Sequence, residues 1–254
     1  MTAKAHLRRL FLFAAAALWL SAPAGAFDLE AMSDTERAAF GEQVRAYLLE
    51  NPEVIMEAVR VLEDREAQAQ ALADIDLVKQ NAKQLFEDPT SWVGGNPDGD
   101  LTLVEFIDYR CGFCRRAAPE VDELLARDGN IKVIVKEFPI LGEQSTLASR
   151  FAISVRQNLG DDAYKSVHDT LIAFNGDVTE AALRRIGESM GLPIDKIIAD
   201  MDGAAVTDVI ETNLALGQDL RINGTPTFVM GDQMLRGFLS AEEMLQVAQS
   251  VRAR

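Results

Sequence analysis

Histidine and cysteine are nearly absent: each occurs twice in 254 residues, against 40 Asp+Glu and 25 Lys+Arg. A four-ligand zinc site of thiolates and imidazoles therefore lacks donors within one chain. A scaffold stapled by several disulfides is excluded as well. Basic residues are scarce enough to leave a net charge of −15, which argues against a nucleic-acid polyanion as partner and offers no basic patch to anionic lipid. The one long apolar run, Leu10 to Leu20, falls short of the roughly 18–20 residues that a spanning helix needs. No internal repeat is evident. With 48% apolar and 26% charged residues, the composition is that of an ordinary globular chain.

The apolar run sits where an export signal would. Lys4, Arg8 and Arg9 precede it and the small-residue site Ala24-Gly25-Ala26 follows, so residues 1–26 read as a cleaved signal peptide and Phe27 as the first mature residue. An uncleaved anchor competes with this reading, but the run is too short for it. No cysteine lies near the cleavage site to carry a lipid. The mature chain would hold a charge of −18 and one histidine, His168. Its expected compartment is the oxidising periplasm, which makes the cysteines informative.

Both cysteines fall in Cys111-Gly112-Phe113-Cys114. A structural bridge across so short a loop removes little unfolded-state entropy, and zinc would need ligands from several chains. Redox use is the stronger reading. The apolar run Leu101 to Asp108 predicts a buried strand, and Ala118, Val121, Leu124 and Leu125 predict a helix from Arg115 to Arg127. The cysteine pair thus opens a helix, where unpaired N–H groups and the dipole favour a thiolate. Cys111 is the expected nucleophile and Cys114 the resolving thiol. Ile131 to Phe138 reads as a second strand, reached by a right-handed crossover. Downstream, Asn223 to Met230, a Gly231-Asp232 turn and Met234-Leu235 predict a hairpin. A capping box, Ser240 to Glu243, opens a last helix.

Taken together these features resemble the thioredoxin superfamily, and within it the DsbA-like branch, in which a helical segment interrupts the thioredoxin fold. Four matches carry the resemblance: the Cys111–Cys114 tract at a strand-to-helix junction, Thr225-Pro226, Glu105 six residues before the first cysteine, and an apolar helical insert over about 144–220. The tracts Asp108 to Arg115 and Leu48 to Val54 are similar to the suppressor-of-copper-sensitivity C group. The resemblance implies an α/β thioredoxin fold with a helical insert over 91–254. It also implies a cis Thr225-Pro226 bond, with Thr225, Pro226, Gly112 and Phe113 contacting an extended substrate segment by strand addition. Glu105 becomes a buried acid that shuttles a proton for Cys114; a pairing with Lys132 or Lys136 is the plainer alternative. Gly112-Phe113 departs from the Pro-His pair of the strongly oxidising prototype, so that potential does not carry over. His168 reads as a surface or helix-face histidine and receives no role. Four insert helices are expected, near 145–159, 163–174, 179–191 and 204–216.

Residues 27–90 read as a separate helical region, with Asn51 as N-cap and Pro52 at the first position of a helix running to Asp88-Pro89. Ile55, Val59, Leu62, Ala69, Leu72 and Ile75 form an approximate heptad stripe that a partner would bury. The resemblance makes 34–88 an oligomerising region, often trimeric. The combined expectation is an exported thiol–disulfide isomerase or reductase acting on exported proteins. It needs no cofactor beyond the Cys111–Cys114 disulfide and is served by a membrane redox partner. A DsbA-type oxidase and a Cu(I)-binding copper-tolerance protein are the alternatives.

Overall fold

The computed structural model describes residues 32–254, which divide into two compact units that part between Glu63 and Asp64. The expected signal peptide, residues 1–26, lies outside the described residues.

In the first unit, helix α1 (Asp34–Glu50) starts from a capping box in which Ser33 and Glu36 satisfy each other's backbone N–H groups. No side chain of α1 is buried. Asn51 does not cap the next helix as expected: its side-chain amide and its backbone N–H both donate to Tyr47 O, at 2.9 and 2.8 Å, and so close α1. Helix α2 (Glu53–Gln80) follows, and its first three turns expose Ile55, Met56, Val59, Val61 and Leu62.

The second unit is built on a five-stranded sheet in the order β1-β3-β2-β4-β5, comprising β1 (Trp92–Gly95), β2 (Leu101–Ile107), β3 (Ile131–Glu137), β4 (Thr227–Met230) and β5 (Gln233–Arg236). Only β2 and β3 are parallel, as the crossover through helix α4 (Gly112–Asp128) requires. The central strand β2 is buried on both faces. Leu103, Glu105 and Ile107 point towards α4 and the insert, whereas Val104 and Phe106 point the other way, beside Ile134 of β3.

A strand apolar on both faces must be covered on both, and this need sets the domain boundary. The far face is closed by Val78 of α2, Leu85 of the short helix α3 (Ala82–Phe86), and Leu216 and Leu220. Asp74 reaches Arg236 at 2.8 Å, and the Lys136 ammonium lies against Asp88 and Gln84 O. Residues 64–90 therefore belong with the second unit and not with a stalk over 27–90. Nor is the helix continuous to Asp88: α2 stops at Gln80, where the Asn81 amide donates to Leu77 O at 2.9 Å.

The insert holds five helices: α5 (Glu143–Leu159), α6 (Asp161–Ala173), α7 (Glu180–Ser189), α8 (Ile194–Asp200) and α9 (Ala204–Asp219). Four match the expectation. α8 was not foreseen, since its seven residues after Pro193 leave too short a period to read. β1 was also missed, because four residues ending in two glycines show too short an alternation to read. Helix α10 (Ala241–Arg252) closes the chain from the foreseen Ser240–Glu243 box.

Candidate active site

Asp108 shapes the loop that carries the first cysteine. Its wholly buried carboxylate accepts the N–H groups of Arg110, Ile140 and Leu141 at 2.7, 2.8 and 3.0 Å, and its carbonyl accepts the Cys111 N–H. Cys111 is then the N-cap of α4, with no side-chain cap of its own, and Cys114 lies one turn inside and fully buried. Donation from the Cys114 thiol, aided by the N–H groups of Cys114 and Phe113, holds the Cys111 thiol well below its ordinary pKa despite burial. Donating to that thiolate, together with burial, drives Cys114 the other way.

The Thr225–Pro226 bond is cis and packs against the pair, with Thr225 O lying 3.0 Å from Cys111 Sγ. As a neutral thiol Cys111 donates to that carbonyl; the thiolate relies on Cys114, the Thr225 side chain and the helix-start N–H groups instead. Thr225 Oγ1 is buried without another partner. Gly112 and Phe113 are exposed beside the thiol, and Phe113 retains 53% of its surface.

Glu105 sits beneath the pair. Burial, and then the charge of Asp122, push its carboxyl up to about 8. Neither lysine partners it: Lys132 and Lys136 share the opposite-facing register of β3, and Lys136 pairs with Asp88. Glu105, Cys114, Asp122 and His168 instead line one cavity of about 40 Å³. That is room for about three waters.

A second buried carboxyl went unnoticed in the sequence. Glu137, at the end of β3, accepts from Tyr109 (2.7 Å), Tyr164 (2.6 Å) and Ser149 (2.7 Å), and burial raises it to about 7. Tyr109 Oη also lies 3.1 Å from His168 Nδ1, whose ring stacks on Tyr164. Burial lowers His168 to about 4, so it stands neutral in this network and not on a helix surface. The network ties the loop before Cys111 to α5 and α6.

A helix-start Cys-X-X-Cys, backed by a Thr-Pro turn and a buried carboxyl on the central strand, defines a dithiol site of the thioredoxin class. The chain belongs to the DSBA-like thioredoxin domain family, whose profile matches residues 102–249. A second profile, the Copper resistance protein ScsC N-terminal domain, matches residues 36–69. Among solved structures, a thioredoxin-like oxidoreductase from Silicibacter pomeroyi DSS-3 shares 38% identity at a TM-score of 0.64, covering 68% of this chain and 98% of its own. Proteus mirabilis ScsC in a transitional conformation shares 25% at a TM-score of 0.63, covering 89% and 99%. The Na(+)/H(+) antiporter NhaA of Herminiimonas arsenicoxydans is 26% identical over 161 residues, which are 63% of this chain and 25% of the antiporter. The chain thus spans about a quarter of the length of the first curated relatives it matches. Among the described residues no helix is long and apolar enough to cross a membrane.

Proposed function

We propose that the protein is an exported disulfide isomerase and reductase that acts on other exported proteins, with Cys111 as attacking thiol. The carrying observation is the placement of the two cysteines: Cys111 caps the start of α4 against the cis Thr225–Pro226 turn and Cys114 lies buried one turn inside, so that Cys111 is favoured as thiolate while Cys114 is held protonated. The Cys111 thiolate attacks a client disulfide, forming a Cys111–client disulfide and releasing one client thiolate. A second client thiolate can then attack the client sulfur, which restores Cys111 and moves the bond with no net electron transfer. Alternatively Cys114 loses its proton and attacks Cys111 Sγ, closing the Cys111–Cys114 disulfide and leaving the client reduced by two electrons. A membrane reductant then returns the dithiol.

Because Cys114 gives up its proton reluctantly, the second route is slow and the mixed disulfide has time to re-pair. Glu105, across the water-sized cavity, is the group that takes this proton, and Thr225, Pro226, Gly112 and Phe113 are the surface on which the client segment lies. Exposed apolar side chains on α1 and α2 support self-association through residues 34–88, and the likeness to the copper-resistance family is the ground for a trimer.

In the rival reading, a stabilised Cys111 thiolate makes the disulfide form an oxidant. The match to a copper-resistance family keeps Cu(I) binding by the two thiols as a third reading. The test is trapping in the mature protein: Cys114→Ser should accumulate client mixed disulfides through Cys111, and Cys111→Ser few or none. Equal trapping by both reverses the roles. An in-cell redox state that is wholly disulfide favours the oxidase, and tight Cu(I) binding without refolding activity favours the metal reading.

A further inference from the structure

Arg116 lies one turn into α4 on the exposed side of the cysteine pair. Its guanidinium carbon is 4.3 Å from the Phe113 ring centroid and 5.5 Å from that of Phe238. Both rings are exposed, at 53% and 40%. Phe238 is fixed there because the Gly237 N–H donates to Pro226 O at 2.9 Å, which ties its loop to the Thr225–Pro226 turn. Since Thr225 O lies 3.0 Å from Cys111 Sγ, the stack, the turn and the thiol form one continuous surface.

The arginines of this surface make no ion pairs among the described residues. Among the described residues Arg116 faces no carboxylate within ion-pair distance, and Arg110 and Arg115 donate only to neutral oxygens: Gly176 O, Ile172 O, Phe174 O and Asn175 Oδ1. Elsewhere in this unit Arg127, Arg156, Arg184, Arg236 and Arg252 each lie against a carboxylate. In a chain of net charge −15, the three arginines beside the redox site thus make no ion pair. Stacking on both rings holds the guanidinium plane while leaving N–H groups open to solvent, the arrangement that suits a carboxylate.

We propose that Arg116, held between Phe113 and Phe238, docks an acidic side chain of the client segment, so that the site selects cysteines flanked by Asp or Glu. This rests on Cys111 being the attacking thiol. A rim charge of this kind acts mainly on the rate of encounter and on its salt dependence.

The test uses the full mature protein in its dithiol form and two disulfide-bonded peptides that differ only in carrying Asp or Lys beside the cysteine. The Cys111 mixed disulfide is followed by mass spectrometry of acid-quenched samples. The Asp peptide should react about fivefold faster at low ionic strength, as expected of one exposed ion pair, and the ratio should fall towards one in high salt. Arg116→Gln should bring the ratio near one and Arg116→Glu should invert it. Arg185→Glu, an equal charge change on the exposed face of α7, should leave it unaltered. Equal rates for the two peptides overturn the docking point while leaving Cys111 as nucleophile. An equal response to Arg116→Glu and Arg185→Glu overturns it in favour of a whole-molecule field. The absence of any Cys111 adduct with either peptide overturns both readings. Because the salt dependence is read on the unsubstituted protein, a poorly folding variant does not remove the test.

Discussion

Cys111 and Cys114 are the same side chain three positions apart, and their placement makes one a strong acid and the other a weak one. Cys111 is expected to titrate near 5 in the dithiol form, as read by thiolate absorbance. Because donation from Cys114 is the largest cause, Cys114→Ala should move that titration upward, and an unmoved value would assign the effect to the helix start alone. A depressed thiol stabilises the fold fully above its unfolded value of about 8.5, and this contribution is lost as pH falls through about 5.

Glu105 has the opposite sign. Its carboxyl ionises near 4.5 when unfolded and near 8 when folded, so the unfolded chain holds fewer protons between those values and stability declines with rising pH across that window. Glu105→Gln should match wild type near the low end and gain on it towards pH 8, by at most about 5 kcal/mol. Chemical denaturation at the two ends of the window measures this, and an equal difference at both ends would refute it. The cysteine pair was legible from spacing alone, and Glu105 from the family pattern. Glu137 was not legible, because its hydroxyl partners lie 12 to 28 positions away in sequence and a glutamate closing an apolar strand reads as its exit to solvent.

The elements were legible where a period runs long enough to count. β2, β3, α4, α10 and four of the five insert helices followed from apolar spacing, caps and glycines, whereas the four-residue β1 and seven-residue α8 are shorter than the signal needs. The segment 64–90 failed for a different reason. Its helical period was visible, but the face it covers is made of β2 and β3, and no local pattern says which surface a stripe will meet. Its packing makes a definite demand: the Lys136 ammonium is buried against Asp88, whose carboxyl, despite a burial that opposes ionisation, is held down to about 2 chiefly by hydrogen bonding from Lys136. Asp88→Ala leaves that cation unpaired and should destabilise the catalytic unit by about 3–5 kcal/mol at neutral pH. Leu85→Ala, at a fully buried position, should cost about 2–5 kcal/mol. Urea midpoints for both variants that equal the wild-type value would place 74–88 outside the cooperative unit. The ion pair gives a sign as well: its contribution is present above the ordinary aspartate value and is lost as pH falls towards about 2.

At the scale of the whole molecule the question is what the first unit is for. A helix that buries none of its side chains gains almost nothing from its own chain, and helices draw most of their stability from the packing of an apolar face. Tyr47, Leu49, Met56 and Leu62 each keep more than half of their surface exposed, so association with further copies is the simplest way to cover them. Closed symmetry then places several Cys111 sites on one assembly, where a client held by one site meets the next at high effective concentration. That arrangement favours repeated cleavage and re-pairing over a single oxidation. Light scattering on the mature chain should therefore give a multiple of the monomer mass, and Leu49→Lys, Met56→Lys and Leu62→Lys combined should give the monomer. The combined variant should still reduce a small disulfide peptide, because Cys111, Cys114 and Glu105 all lie in the other unit. Its rate of reactivating a scrambled multi-disulfide protein should fall by about tenfold or more, the lower part of the gain that linked sites provide. A monomeric wild type would end the assembly hypothesis, and unchanged reactivation by the monomeric variant would show that one site isomerises disulfides unaided.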